Sequence, residues 1–310
     1  MPGRSRARRL RMASCVALGA CVLLITGCAS RQTTFQTPED AVRALLDSAK
    51  QGDTKELARI LGPDSKAVIH SGDPVQDRNN RDVFITAAGE EWYLEDGPDG
   101  ERELVVGHEQ WPFPIPLVSD DGAWRFDTAA GIEEVLARRV GRNELTAIGM
   151  CETYVIAQNE YAASSHDGLP AGIYAQKITS TPGLQDGLYW DTAPNEDLSP
   201  LGPLAADAAV DGYTRSTTGK PRPFYGYYYR ILTAQGDAAP TGARNYLVGS
   251  EMTSGFALIA HPAVYGQTGI MTFIVNQDGI VYQRDLGEDT TDLAAQITAF
   301  NPDDAWEPVQ

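Results

Sequence analysis

Apolar positions change their period along this chain, and each change predicts a different element. Residues 13–26 form an apolar run behind Arg4, Arg6, Arg8, Arg9 and Arg11. The run has the length of a secretory core and is shorter than the ~20 residues of a spanning helix. Ala41, Leu45, Leu46 and Ala49 then recur at helical spacing. Thr37 stands before them as N-cap, Pro38 in the first turn, Glu39 and Asp40 against the positive helix end, and Gly52 as the stop. A second short helix is expected over 54–61, a loop over 64–80, and a further helix over 82–88.

Alternation replaces the helical period after residue 91. Trp92-Tyr93-Leu94 and Leu104-Val105-Val106 flank the turn Asp96-Gly97-Pro98-Asp99-Gly100. Ile115 to Val118 and Trp124-Arg125-Phe126 flank Ser119-Asp120-Asp121-Gly122, a second hairpin. Pro112, Pro114 and Pro116 place that third strand at an edge or an entrance. The longest helical pattern covers 127–164. Its stripe of Ile132, Val135, Leu136 and Val140 shifts at Gly141 to one of Leu145, Ile148, Cys151 and Val155. The shift predicts a bend, or two helices joined near Arg142-Asn143. Beyond it, short strands are expected over 174–178, 224–233, 255–260, 270–275 and 280–283, with a long irregular stretch at 180–221. An amphipathic helix is expected over 289–300, with Leu293, Ile297 and Phe300 on one face.

These patterns define an α+β chain. N-terminal helices precede an antiparallel meander, and a long helix precedes a second antiparallel sheet with long loops. The element order of the first part is similar to the cone-shaped fold of nuclear transport factor 2. The expected organisation is a leader at 1–27, a tether at 28–36, an N-terminal α+β domain at 37–130 and a C-terminal α+β domain at 131–310.

The leader ends in Ile25-Thr26-Gly27-Cys28, the layout of a bacterial lipoprotein signal. It predicts cleavage before Cys28, palmitate-type lipid on the Cys28 sulfur, and a membrane partner reached through that anchor. In a cell with two membranes, Ala29-Ser30 lacks the aspartate that favours inner-membrane retention. The expected address is then the outer membrane, facing the periplasm. Cys15 and Cys21 leave with the leader and Cys28 carries lipid, so Cys151 alone keeps a thiol. Its apolar spacing predicts a buried structural residue.

The formal charge of −17 becomes −22 once the five leader arginines are gone. That argues against nucleic acid, whose phosphates demand a basic face. No Gly-x-Ser-x-Gly motif is present. Ser254, His261 and an aspartate are the components from which a triad would have to assemble. His70, His108, His166 and His261 are scattered, so no metal site and no cofactor are expected. The loops at His166-Asp167-Gly168 and Asp186-Gly187 read as turns, with calcium ligation as the alternative.

Aromatic residues are the denser signal. Alternation would send Tyr225, Tyr227 and Tyr229 to one face and Phe224 and Tyr228 to the other. With Tyr189 and Trp190, these tyrosines form either cross-strand packing or a platform for an envelope protein or glycan. Arg142, Asn143 and Glu144 are expected to form a buried polar latch between the two domains. The function read from all this is a lipid-anchored binding or assembly module without catalysis. The alternative is a hydrolase of cell-wall or surface polymer, using acids of the 180–221 stretch.

Several strings resemble the bacterial envelope family catalogued as domain of unknown function 2950. They are Trp111-Pro112-Phe113-Pro114-Ile115-Pro116, Gly141-Arg142-Asn143-Glu144-Leu145, Ala157-Gln158-Asn159-Glu160-Tyr161, Asp186-Gly187-Leu188-Tyr189-Trp190, Ser199-Pro200-Leu201-Gly202-Pro203 and Gly255-Phe256-Ala257-Leu258-Ile259-Ala260. The resemblance implies a secreted or lipid-anchored protein and brings no catalytic residues. Residues 143–180 are also similar to the globular part of type IV pilins and pseudopilins, which pack a sheet on a long helix. The apolar filament-forming helix of those proteins is absent from this sequence.

Overall fold

The structure, a computed structural model, describes residues 32–309 apart from 194, 212 and 214–220. The leader and Cys28 lie outside the described residues. Helix α1 (Pro38–Gln51) starts at its sequence signal, with Thr37 Oγ1 accepting the Asp40 amide at 3.1 Å. Helix α2 (Thr54–Leu61) is capped by Asp53, which accepts the Lys55 and Glu56 amides. The last part of the expected tether is docked. Gln32 Nε2 donates to the Ile60 and Phe126 carbonyls, and Phe35 bridges Trp124 through two backbone bonds of 2.8 Å.

The expected loop at 64–80 holds helix α3 (Lys66–Ile69) and the first turns of α4 (Pro74–Glu90). Asp73 caps α4 and Pro74 sits in its first turn. The helix expected over 82–88 is the second half of α4, and its first turns carry no apolar signal because their inward face is polar. Its buried residues are Gln76 and Ala88, so no apolar period marks it.

Strands β1 (Trp92–Asp96), β2 (Arg102–Val106), β3 (Trp111–Pro112), β4 (Leu117–Asp120) and β5 (Ala123–Phe126) form one antiparallel sheet. Its order is β1-β2-β4-β5, with β3 pairing β2. Leu94 faces Leu104, and Leu117 faces Phe126. The three prolines fall before β4, at its entrance, and β4 itself lies between β2 and β5. Val42, Leu45, Ile60, Leu104, Ile115, Leu117 and Phe126 are the buried centre of this region.

Helix α5 (Thr128–Ala162) is continuous through Gly141, so the expected join of two helices near Arg142-Asn143 is absent. Its stripe shifts because its neighbours change. At its start, a Cβ on Gly131 would lie 2.3 Å from the Pro114 carbonyl oxygen. One turn before Asn143, the Arg139 guanidinium donates to the Ala67 and Val68 carbonyls at 2.7 and 2.9 Å. From Ala147 on, a stripe of Ala147, Cys151, Tyr154, Ala157 and Tyr161 is buried in a second apolar cluster. At 1.5 Å per residue the helix is roughly 50 Å long, long enough to serve both clusters. Gln32–Gln310 forms one compact unit.

The second cluster surrounds a sheet of β6 (Tyr227–Leu232), β11 (Ala257–Pro262), β12 (Met271–Asn276), β13 (Tyr282–Asp285) and β14 (Glu307–Pro308). Its antiparallel order is β14-β13-β12-β11-β6. Helix α5 packs on β11 and β12. Between β6 and β11 run two short pairs: β7 (Ala234–Gln235) with β8 (Arg244–Asn245), and β9 (Leu247–Val248) with β10 (Glu251–Met252). Residues 174–178 form no strand and bridge only Tyr174 to Met252. Helix α6 (Gly202–Val210) occupies part of the stretch expected to be irregular. Helix α7 (Thr290–Gln296) stops before Phe300, which is buried at a bridge to Gln235. Leu293 of α7 faces outward, 40% exposed, which corrects the expected apolar face.

No described helix is long and apolar enough to cross a membrane.

Candidate functional site

Consecutive residues of a helix point about 100° apart, and Arg142, Asn143 and Glu144 go three ways. Arg142 is exposed and donates to Asn80 Oδ1 at 2.8 Å. Asn143 is buried, accepting from Gln76 Nε2 at 2.6 Å and donating to Gln76 Oε1 and to the Thr268 carbonyl. Glu144 Oε1 accepts the Ile270 and Met271 amides at 2.8 and 2.9 Å, where β12 begins. No Arg142–Glu144 ion pair occurs among the described residues; the contacts of this set run through Asn143 and Glu144 to backbone and amide groups. The buried guanidinium is that of Arg139 instead. Burial pulls its pKa down, and Asp77 opposes that.

The Asn143 contacts continue into a wider polar hub. Asp73 uses Oδ1 to cap α4 and Oδ2 to accept Tyr213 Oη at 2.7 Å and the Gly226 amide at 3.0 Å. Tyr213 Oη in turn accepts the Tyr225 amide, and Tyr225 Oη donates to Asp211 Oδ2. Burial, then the acceptor Asp73, push the Tyr213 phenol far above its ordinary pKa. Gly226 has φ +77°, and a Cβ there would lie 2.4 Å from Asn143 Nδ2. Only glycine satisfies both the dihedral and the contact.

That turn settles the aromatic strand. Tyr225 is left-handed at φ 48°, so the strand begins at Tyr227 and the expected common face breaks at Tyr225. Tyr227 is fully buried, its hydroxyl donating to the Met271 carbonyl at 2.9 Å. Tyr229 packs against the second cluster, with its hydroxyl buried and unpartnered. Tyr228 stacks toward His261 on the other side, ring centroids 5.6 Å apart. The tyrosine strand is thus core packing for Tyr227 and Tyr229, and hub for Tyr225.

Tyr189 and Trp190 lie elsewhere, beside the end of α5. The segment carrying them is tied by a parallel bridge between Thr179 and Tyr189. The backbone passes so closely there that a Cβ on Gly187 would lie 2.8 Å from the Ser180 nitrogen. Asp186 fixes the loop. Burial alone would raise its pKa, but bonds from Lys177 Nζ at 2.6 Å and from the Thr181 amide and hydroxyl hold it down to about 2. Asp167 Oδ2 accepts the Gln185 amide at 2.6 Å. Asp167 and Asp186, the carboxylates of the calcium alternative, are therefore engaged by protein donors. Among the described residues no three His, Cys, Asp or Glu side chains converge to hold a metal ion.

Trp190 walls an open cleft of about 680 Å³. The imidazole of His166 stacks on Tyr161 at 4.0 Å and lies 5.4 Å from the indole. Its Nδ1 is 3.2 Å from Gln185 Oε1 and its Nε2 is 2.9 Å from the Tyr161 carbonyl, so neither nitrogen is turned to the cleft for proton transfer. Glu160, Glu196 and Asp197 line the rim. Glu196 Oε2 accepts the Ala193 amide. Glu160 and Asp197 side chains are exposed and take part in no ion pair or hydrogen bond among the described residues.

The components of a triad do not meet. Ser254 precedes β11 and His261 is its penultimate residue; the strand from Ala257 to His261 alone spans roughly 13 Å at ~3.3 Å per residue. His261 Nδ1 faces the Pro262 carbonyl, and burial lowers its pKa. Cys151 is fully buried, its thiol pushed up to about 12 by burial, which fits an inert packing residue.

The fold defines an α+β protein with an open surface cleft beside the end of α5. Residues 32–309 match the family described as proteins of unknown function (DUF2950), and the chain belongs to that family. No curated protein and no solved structure matches it.

Proposed function

We propose that this chain is a lipid-anchored protein of the cell envelope that works by binding, with a periplasm-facing domain held at the outer membrane where the cell has two. The observation that carries the address is Ile25-Thr26-Gly27-Cys28 behind an arginine-rich apolar leader. The binding reading is supported by the Trp190 cleft, which is concave and aromatic-walled, with both ring nitrogens of His166 held by Gln185 and the Tyr161 carbonyl. Its partner is then an envelope protein or glycan. No observation favours the hydrolase alternative: Asp186 and Glu196 of the proposed acid set are bonded within their own loop.

The test is metabolic labelling with radioactive palmitate, followed by sucrose-gradient fractionation. The native chain incorporates label and sediments with outer membranes. Cys28→Ala loses the label and is released to the soluble envelope fraction. A native chain that is unlabelled and cytosolic overturns the reading.

A further inference from the structure

We propose that the end of the molecule around Gln32 faces the headgroups of an anionic bilayer through α2 and α3, and that helix α5 carries the Trp190 cleft away from that surface. This rests on the anchor reading above and names the face through which the anchored chain meets its membrane.

The length of the leash comes first. Between Cys28 and Gln32 the chain has four peptide units, which reach at most about 14 Å when fully extended. At Gln32 that freedom ends. The Gln32 side chain donates to the Ile60 and Phe126 carbonyls, the Thr33 amide donates to the Arg59 carbonyl at 2.9 Å, and Phe35 pairs with Trp124. The seat is closely fitted, since a Cβ on Gly62 would lie 2.7 Å from the Gln32 side chain. A lipid on Cys28 therefore holds the headgroups within about 14 Å of this clamp.

The long helix comes second. Thr128, the first residue of α5, donates its hydroxyl to the Leu61 carbonyl at 2.6 Å. It follows by two residues the Phe126 carbonyl that Gln32 holds. Helix α5 thus starts at the clamp. Roughly 50 Å further along its axis, Tyr161 meets Trp190 edge to face at 6.3 Å. The leash is much shorter than the helix, so the membrane takes hold of one end of α5 and the cleft lies at the other.

Charge sets which end docks. Residues 31–81, which carry α1, α2, α3 and the first half of α4, hold eight Lys and Arg against eight Asp and Glu. Residues 82–310 hold twelve against thirty-four. The entire net charge of −22 therefore lies beyond the first segment. Lys55 and Arg59 are exposed on α2, whose last turn supplies the clamp, and Lys66 is exposed at the start of α3. Strand β5, the other wall of the clamp, is flanked by Asp120, Asp121 and Asp127. Helices α2 and α3 are thus the side that suits the headgroups. An anionic leaflet attracts their cations within a Debye length and repels the acidic remainder.

Energy transfer to the membrane surface tests this. The full lipidated chain, purified with its palmitate label, is placed in vesicles of phosphatidylethanolamine and phosphatidylglycerol that carry an acceptor dye on their headgroups. A donor dye is attached through a clickable non-natural residue at position 64, in the exposed turn after α2, or at position 160, near the end of α5. Transfer should be about fivefold more efficient from position 64, given the length of helix between the two ends. Lys55→Glu with Arg59→Glu changes two exposed side chains, leaves the Arg59 carbonyl in place, and should cut that ratio about twofold. Equal transfer from both positions means that the body lies flat, and it overturns the proposal, as does a ratio that the charge reversal leaves unchanged. Only palmitate-labelled chain enters the vesicles, so either result leaves the anchor reading standing. A chain that takes no label overturns the anchor reading by itself.

Discussion

Two polar regions of this molecule contrast sharply. The hub around Asp73 and Asn143 is buried, and its side chains answer one another: Asp73 binds four donors, and Asn143 meets Gln76 and the Thr268 carbonyl. The cleft around Trp190 is open, and its Glu160 and Asp197 carboxylates meet nothing among the described residues. A buried polar group costs free energy unless it is paired, so a closed network specifies structure. An exposed carboxylate costs little where it stands, and it gains only when something arrives. The hub joins α4, α5 and the start of β6; the cleft joins the end of α5 to the loop before α6. Mutations should therefore separate stability from binding.

The largest effect is expected at the hub. Asn143→Leu keeps the volume but leaves the Gln76 amide and the Thr268 carbonyl buried and unpaired. A cost of about 2–4 kcal/mol follows, read by denaturant unfolding of the full chain. Gly226→Ala attacks the same place from the other side, through φ +77° and the 2.4 Å approach to Asn143 Nδ2. Since both changes break one contact, their double variant should cost clearly less than the sum. Strict additivity would show that Asn143 and Gly226 act separately and would dissolve the hub as a unit.

These two regions were unequally legible in the sequence. Helix α1, both hairpins of the first sheet and the buried Cys151 follow from apolar spacing, because apolar side chains carry their burial. The first turns of helix α4 do not, because Gln76 is what they bury, whereas its second half was expected over 82–88. The Asp73-Pro74 pair, a cap followed by a first-turn proline, was the signal available. Arg142-Asn143-Glu144 was expected to be buried together as a latch between domains, yet only Asn143 is deeply buried, and the buried arginine is Arg139. For the tyrosine strand, alternation fails where Tyr225 and Gly226 both turn left-handed. The cleft is a product of folding: Glu160 and Asp197 line it together through the path of the loop and not through spacing. Even so, the strings Ala157 to Tyr161, Asp186 to Trp190 and Ser199-Pro200 that carry the family resemblance all converge on it.

Strong acid should loosen the loop that Asp186 fastens. Asp186 has its pKa lowered from 3.8 to about 2 in the fold. Its contribution is therefore fully present above about pH 4 and is lost as pH falls through 2. Hydrogen exchange of the Ser180 and Tyr189 amides, which bond across the Gly187 crossing, should accelerate in that window. Asp186→Asn should show the faster exchange already at neutral pH and little further change on acidification. An identical pH profile in both proteins would remove Asp186 as the loop's fastener.

Smaller still is the effect expected when the cleft carboxylates are neutralised. Glu160→Gln with Asp197→Asn touches exposed groups without partners, so stability should stay within about 0.5 kcal/mol of native. Relief of like-charge repulsion sets the sign as slightly stabilising. A loss of several kcal/mol in thermal unfolding would mean that these carboxylates are structural, and the contrast with the hub would fail.

The smallest change tests the boundary between the two regions. Ser199 lies between the cleft residues Leu198 and Pro200, but its side chain is buried and its hydroxyl has no hydrogen-bond partner. It thus belongs to neither type: it is polar and enclosed, yet unanswered. Its carbonyl accepts the Gly202 amide at 2.6 Å, a bond that a side-chain change leaves intact. Ser199→Ala removes only the orphan hydroxyl, whose desolvation cost returns as stability. The gain should be roughly 0.5–1 kcal/mol, seen as a higher midpoint in denaturant with an unchanged slope. A destabilised Ser199→Ala would show that the hydroxyl is bonded in solution and that the cleft rim is built like the hub.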